Sequence, residues 1–109
     1  MNTEYTKVCK YELYIGLTDL EISESRFGYE HFLEYVKEYC TKQKIDFSIN
    51  RINGGYNHSK TGYIIEDSVV ITLLGDDSTR FLDSIKDIKE YINTDTILVT
   101  REYLDEVFL

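Results

Sequence analysis

Cys9, Tyr11, Leu13, Ile15 and Leu17 alternate with Lys10, Glu12, Tyr14 and Gly16 near the start of the chain. A period of two with one apolar face predicts a half-buried strand over 9–17. A polar connection follows, with Ser23 and Ser25 as possible helix caps. From about 29 to 43 the period changes. Tyr29, Phe32, Leu33, Val36 and Cys40 recur at steps of three and four, which predicts an amphipathic helix. Ile45, Phe47 and Ile49 then alternate with Asp46, Ser48 and Asn50, a second strand. Its alternation breaks at Arg51-Ile52, where a β-bulge would turn Arg51 outward. Turn formers fill 53–62, and the reading preferred here continues the strand through Tyr56 and turns at 59–62. Residues 63–74 are the most β-prone segment, with Glu66-Asp67 as a second expected irregularity. Gly75-Asp76-Asp77-Ser78 reads as a turn into an N-cap. Phe81, Ile85, Ile88 and Ile92 form a second helical stripe that stops near Asn93-Thr94, and 96–100 is a closing strand.

Strand, helix, two strands, helix, strand is the βαββαβ order of an α+β, ferredoxin-like fold. Two helices then cover one face of a four-stranded antiparallel sheet. The chain is read as one domain over 1–109, with a short C-terminal extension. In that extension Tyr103, Leu104, Val107 and Phe108 would share one side of a short helix and dock on the domain or on a neighbour. The sheet face away from the helices would show Glu12, Tyr14, Val70 and Thr72, flanked by Leu98, Ser48 and Asn50. The interface candidates are therefore Tyr14, Val70, Thr72, Leu98 and Phe108, and a homo-oligomer, dimer or trimer, is expected.

Charge sharpens this picture. The net charge is −8, yet residues 37–60 sum to +3 through Lys37, Lys42, Lys44, Arg51 and Lys60. Residues 1–36 sum to −4 and residues 61–109 to −7. An acidic body repels nucleic acid and anionic membranes, so neither is an expected partner. The basic island is the expected place for an anion. No apolar run approaches the ~18 residues of a membrane span. The N-terminus lacks the pattern of a signal peptide, which makes the expected location cytoplasmic.

Cys9 and Cys40 match no metal or redox spacing and read as buried thiols. His31 and His58 have no ligand partner at helical spacing, so no metal and no cofactor is expected.

The first strand Lys10-Tyr11-Glu12-Leu13-Tyr14-Ile15-Gly16-Leu17 resembles that of a family of small bacterial ferredoxin-like proteins. Gly55-Tyr56 and the stretch from Gly62 to Ile71 resemble the same family's long hairpin. Tyr56 stands where that family tends to carry Trp. More remotely the arrangement is similar to the PII and CutA groups. That similarity implies a loop after the second strand that reaches toward ligands or partners, and edge-joined trimers as an alternative to sheet-on-sheet dimers. It brings no catalytic residue with it, and the PII nucleotide-binding signature is not legible.

The function expected is a non-enzymatic, small-ligand-binding or regulatory protein with its site in the 51–63 hairpin. The ligand-binding candidates are Arg51, Tyr56, Asn57, His58, Lys60 and Tyr63. Arg and Lys donate charge-assisted hydrogen bonds to phosphate or carboxylate. Tyr56 offers a stacking plane, and His58 titrates near neutral pH. Two alternatives stay open. One is an acidic inhibitor or accessory protein of a phage or mobile element, suggested by the charge and by a composition with no proline. The other is a small α+β barrel enzyme, which needs His31 or His58 beside a carboxylate or Tyr.

Overall fold

Odd-numbered apolar residues in three strands and two helical stripes account for one continuous core. The computed structural model describes residues 4–16, 28–58, 60, 62–76, 79–92 and 97–109. Strand β1 spans Thr6–Gly16, helix α1 Gly28–Gln43, strand β2 Asp46–His58 and strand β3 Gly62–Gly75. Helix α2 spans Thr79–Ile92 and strand β4 Leu98–Glu106. The sheet order is β2-β3-β1-β4, with every neighbouring pair antiparallel. This is the α+β ferredoxin-like fold. The expected caps at Ser23, Ser25 and Ser78 and the stop at Asn93-Thr94 lie outside the described residues.

One buried cluster joins Cys9, Tyr11, Leu13 and Ile15 of β1 and Val69, Ile71 and Leu73 of β3 to both helices. The helices supply Phe32, Val36 and Cys40 from α1 and Phe81, Ile85, Ile88 and Ile92 from α2. All the strand residues in it are odd-numbered. Since side chains alternate across a strand, both helices press on the same face. At the end of β3, Gly75 pairs with Cys9 and lies directly beneath Phe81, where a Cβ would come within 2.6 Å of the ring.

Helix α1 ends in a Schellman turn. Lys44 takes φ +56°, and the Ile45 amide donates to the Cys40 carbonyl at 2.9 Å. Arg80 of α2 then donates through Nη2 to the carbonyls of Gln43 at 2.6 Å and Lys44 at 3.2 Å. A cation at the negative end of a helix is favourable, though exposure to water discounts it. Arg80→Ala is expected to cost about 1 kcal/mol in urea unfolding. A change indistinguishable from zero would mean that the contact does not hold α2 against α1.

Three local expectations are corrected. The β2–β3 register runs without a break from Asp46↔Leu74 to His58↔Gly62, so neither Arg51-Ile52 nor Glu66-Asp67 forms a bulge. Tolerance comes from position: Arg51 is exposed at the rim of the core, so its charge stays wet. The C-terminal extension is not a helix. Strand β4 continues through Glu106, paired with β1 as far as Thr6, so Tyr103 and Leu104 fall on opposite faces.

Strand β1 ends opposite Ser68, whereas β2 and β3 go on pairing to the turn. Residues 53–58 and 62–67 therefore form a two-stranded ribbon. It lengthens the molecule to 53 × 30 × 24 Å and raises the radius of gyration to 15.5 Å. A typical domain of this size has about 13 Å.

Candidate functional site

Arg51 is opposite Val69, on the side of the sheet that carries the helices. Val69 is buried and Arg51 exposed, so this row marks the rim of the core. The Arg51 guanidinium lies over the ring of Tyr29, 5.1 Å from its centroid. Tyr29 is in the first turn of α1, behind Gly28 at φ +63°. Stacking on a ring orients a guanidinium without using its N–H groups, which stay available for a carboxylate or phosphate. Among the described residues no carboxylate pairs with Arg51. The positive end of α1 adds to the potential there, while Glu30 in the same turn offsets part of it.

The rest of the basic island behaves differently. Lys37 and Lys42 are paired along α1 with Glu34 at 3.8 Å and Glu38 at 3.3 Å. These exposed pairs leave little net field.

The ribbon divides the six hairpin candidates. Arg51, Asn57 and Tyr63 sit at odd positions on the helix side, and Asn57 is directly opposite Tyr63. Positions 56 and 58 alternate with them on the other side, and Lys60 is exposed in the turn. Six residues of strand separate Arg51 from Asn57, roughly 20 Å. Within one chain the candidates thus fall into at least two groups. On the helix side of the ribbon, Asn53 Nδ2 donates to Asp67 Oδ1 at 2.9 Å. The Tyr63 ring covers Gly55, where any side chain would collide with it.

The opposite face of the sheet holds a charged network. Lys10 Nζ lies 2.8 Å from Glu102 Oε1 and 3.3 Å from Glu12 Oε1, and Tyr14 donates its hydroxyl to Glu12 Oε2 at 2.9 Å. The hydrogen bonds to Glu102 and Glu12 push the Lys10 ammonium pKa above its ordinary value. A shallow depression is lined by Lys10, Glu12, Thr100, Arg101 and Glu102. Among the interface candidates, Val70, Tyr14 and Leu98 form one row across three strands, with Thr72 in the next. Val70 is only 8% exposed within its own chain and adds little area to that row. Leu98 is exposed, and Phe108 projects beyond the end of β4. Lys10 and Glu102 are not legible as neighbours in the sequence, where the closing strand is expected to end at Thr100.

A third constellation spans the outer surfaces of the helices. Tyr35 and Tyr91 stack at 3.7 Å, His31 stacks on Tyr91 at 6.4 Å, and Tyr39 donates to Asp87 Oδ2 at 2.6 Å. Burial, then the proximity of Tyr39 and Asp87, pushes the Tyr35 hydroxyl pKa up to about 12. Burial raises the Cys40 thiol to about 11, so it stays a neutral, unreactive thiol near pH 7. Cys9 and Cys40 are both buried, and neither is in a disulfide. No helix among the described residues is long and apolar enough to cross a membrane.

No protein-family model matches the chain, and no curated protein matches it. Solved structures do. A phage SAM lyase in complex with S-methyl-5′-thioadenosine is 16% identical, covers 93% of this chain and 90% of its own, and superposes with a TM-score of 0.58. The nitrogen regulatory PII-like protein CPII from Thiomonas intermedia K12, bound to ADP, AMP and bicarbonate, is 10% identical over 94% and 98%, with a TM-score of 0.57. CutA from Pyrococcus horikoshii is 16% identical over 93% and 86%, with a TM-score of 0.55. The chain is remotely similar to PII and CutA proteins in fold.

Proposed function

We propose that this chain is a non-enzymatic binding or regulatory protein that takes a small anionic ligand carrying adenosine at the Arg51 end of the 51–63 hairpin. The observation that carries this reading is Arg51 itself. It is a permanently charged fork, oriented by Tyr29 at the start of α1 and paired with no carboxylate among the described residues. The ligand class draws support from two proteins of similar fold, one bound to ADP and AMP and one to S-methyl-5′-thioadenosine. Phosphate is the part that a guanidinium recognises. Tyr56, Asn57, His58, Lys60 and Tyr63 are too far along the ribbon to share that phosphate contact within one copy. Their place is a contact with a partner instead. We further propose a cytoplasmic homo-oligomer.

Calorimetric titration with ATP, ADP, AMP and S-methyl-5′-thioadenosine tests the reading. A phosphate-bearing ligand is expected to bind, and Arg51→Ala to weaken it by roughly 10–100-fold, the worth of a charged hydrogen bond. No binding by any of the four, or equal binding by the variant, would overturn it.

A second reading is favoured by the phage lyase alone: an enzyme that cleaves S-adenosylmethionine. Incubation with that compound and mass detection of S-methyl-5′-thioadenosine decides it, because sustained turnover replaces the non-enzymatic reading. The acidic-mimic alternative has less support. The carboxylates on the open face are drawn in around Lys10 rather than spaced as phosphates would be.

A further inference from the structure

We infer that Tyr35 of α1 and Tyr91 of α2 form a site of oxidative cross-linking, at which a one-electron oxidant joins the two rings through a carbon–carbon bond and ties the helices together. The two phenol rings lie face to face, with centroids 3.7 Å apart and planes only 4° from parallel. Neutral aromatic rings ordinarily meet offset or edge to face, with centroids about 4.5–7 Å apart. Here the packing of α1 against α2 holds them stacked at van der Waals contact. Tyr91 is also lodged 6.2 Å from Phe32, which roots its ring on a fully buried side chain.

Stacked phenols are arranged for radical coupling. The unpaired electron of a phenoxyl radical is shared by the oxygen and the ortho and para ring carbons, and in tyrosine the para carbon is already substituted. At this separation an ortho carbon of one ring lies within about 5 Å of an ortho carbon of the other, whichever way the hydroxyls point. That is a short step from the ~3–3.5 Å of a near-attack contact. The neighbouring rings compete poorly. Tyr39 is 5.9 Å from Tyr35 and tilted by 38°, and its hydroxyl donates to Asp87 at 2.6 Å. His31 and Phe32, beside Tyr91, are not phenols. Tyr35 and Tyr91 are each half-buried, so a small oxidant reaches them while the chain stays folded.

Each phenol gives one electron to the oxidant and its hydroxyl proton to water. The two radicals share their unpaired electrons in one new ortho–ortho bond. The hydrogens on the joined carbons then leave as protons and the oxygens are protonated again, which restores two phenols. With persulfate as the final acceptor, the two electrons convert it to two sulfate ions, and the chain loses two hydrogen atoms. The joined residues stand fifty-six positions apart, so the bond also closes a long loop in the unfolded chain. None of this depends on the ligand reading at Arg51.

The test illuminates the dilute full chain with a ruthenium tris-bipyridine photosensitiser and persulfate, then isolates the monomer. The monomer is expected to show the blue emission of a biphenol. Its tryptic digest is expected to hold peptides 27–37 and 90–101 joined, with two hydrogens lost. Tyr35→Phe and Tyr91→Phe, which keep the rings and their packing, are each expected to abolish the joined product. Tyr39→Phe is expected to retain it. Folded protein is expected to give at least about tenfold more of it than the same chain in urea, because the stack supplies the encounter. A monomer without the joined peptides, a product that survives Tyr35→Phe or vanishes with Tyr39→Phe, or an equal yield in urea would overturn the inference.

Discussion

Phe32→Ala is expected to lower the unfolding free energy by about 3–5 kcal/mol, the usual cost of emptying a buried aromatic site. Phe32 is fully buried, the largest side chain so enclosed among the described residues, and it projects from α1 into the cluster that both helices share with β1 and β3. Its ring also lies 6.2 Å from Tyr91 of α2, so the substitution opens a void between the helices as well as against the sheet. Domains of this size are stable by about 5–15 kcal/mol, which brings the variant close to unfolding at 25 °C. Urea unfolding followed by circular dichroism reads the change. A loss under about 1 kcal/mol would mean that α1 does not press on the sheet as described.

Raising the pH is expected to destabilise the fold well before arginine or backbone chemistry intervenes. Burial lifts the hydroxyl pKa values of Tyr35, Tyr39 and Tyr91 above their ordinary 10.0, and that of the Cys40 thiol above 9.0. Tyr35 is lifted to about 12 and Cys40 to about 11. Each group is neutral when protonated, and the folded state holds its proton more tightly than the unfolded chain does. The stabilisation is therefore complete below pH 9 and is lost as the pH rises from there through about 12. Melting temperature measured across that range should fall, with the tyrosine ultraviolet titration lagging behind that of unfolded protein. A flat melting temperature, or tyrosines that all ionise together near their ordinary value, would contradict the packing around Tyr35. Tyr39→Phe, which removes the donor to Asp87, should reduce the slope.

The elements were readable wherever period and burial coincide. The stripes Phe81/Ile85/Ile88/Ile92 and Phe32/Val36/Cys40 and the odd set of β1 needed no tertiary information, and they fix both helices on one face. Reading failed where a strand is wet on both sides. Leu98–Glu106 is exposed along nearly all its length, so Tyr103-Leu104 and Val107-Phe108 imitate a helical stripe. Only the ladder with Thr6–Tyr14 makes the segment a strand, and no local signal records that ladder. The same omission hid Glu102 beside Lys10. Arg51 was misjudged in the opposite sense. A charge on the apolar parity of a strand suggests a bulge, whereas Arg51 is exposed at the rim of the core and Tyr29 receives the guanidinium. The six hairpin candidates are neighbours in sequence. The β2–β3 register then assigns neighbours such as Tyr56 and Asn57 to opposite sides.

The account turns on Arg51 at the start of α1, and a nitrogen–proton correlation spectrum titrated with ADP addresses it most directly. The predicted result is a saturable shift of the Arg51 side-chain signal together with the amides of Gly28, Tyr29 and Glu30, lost in Arg51→Ala. Shifts confined to the Lys10, Glu12 and Glu102 side of the sheet, or a spectrum that ADP leaves unchanged, would contradict it.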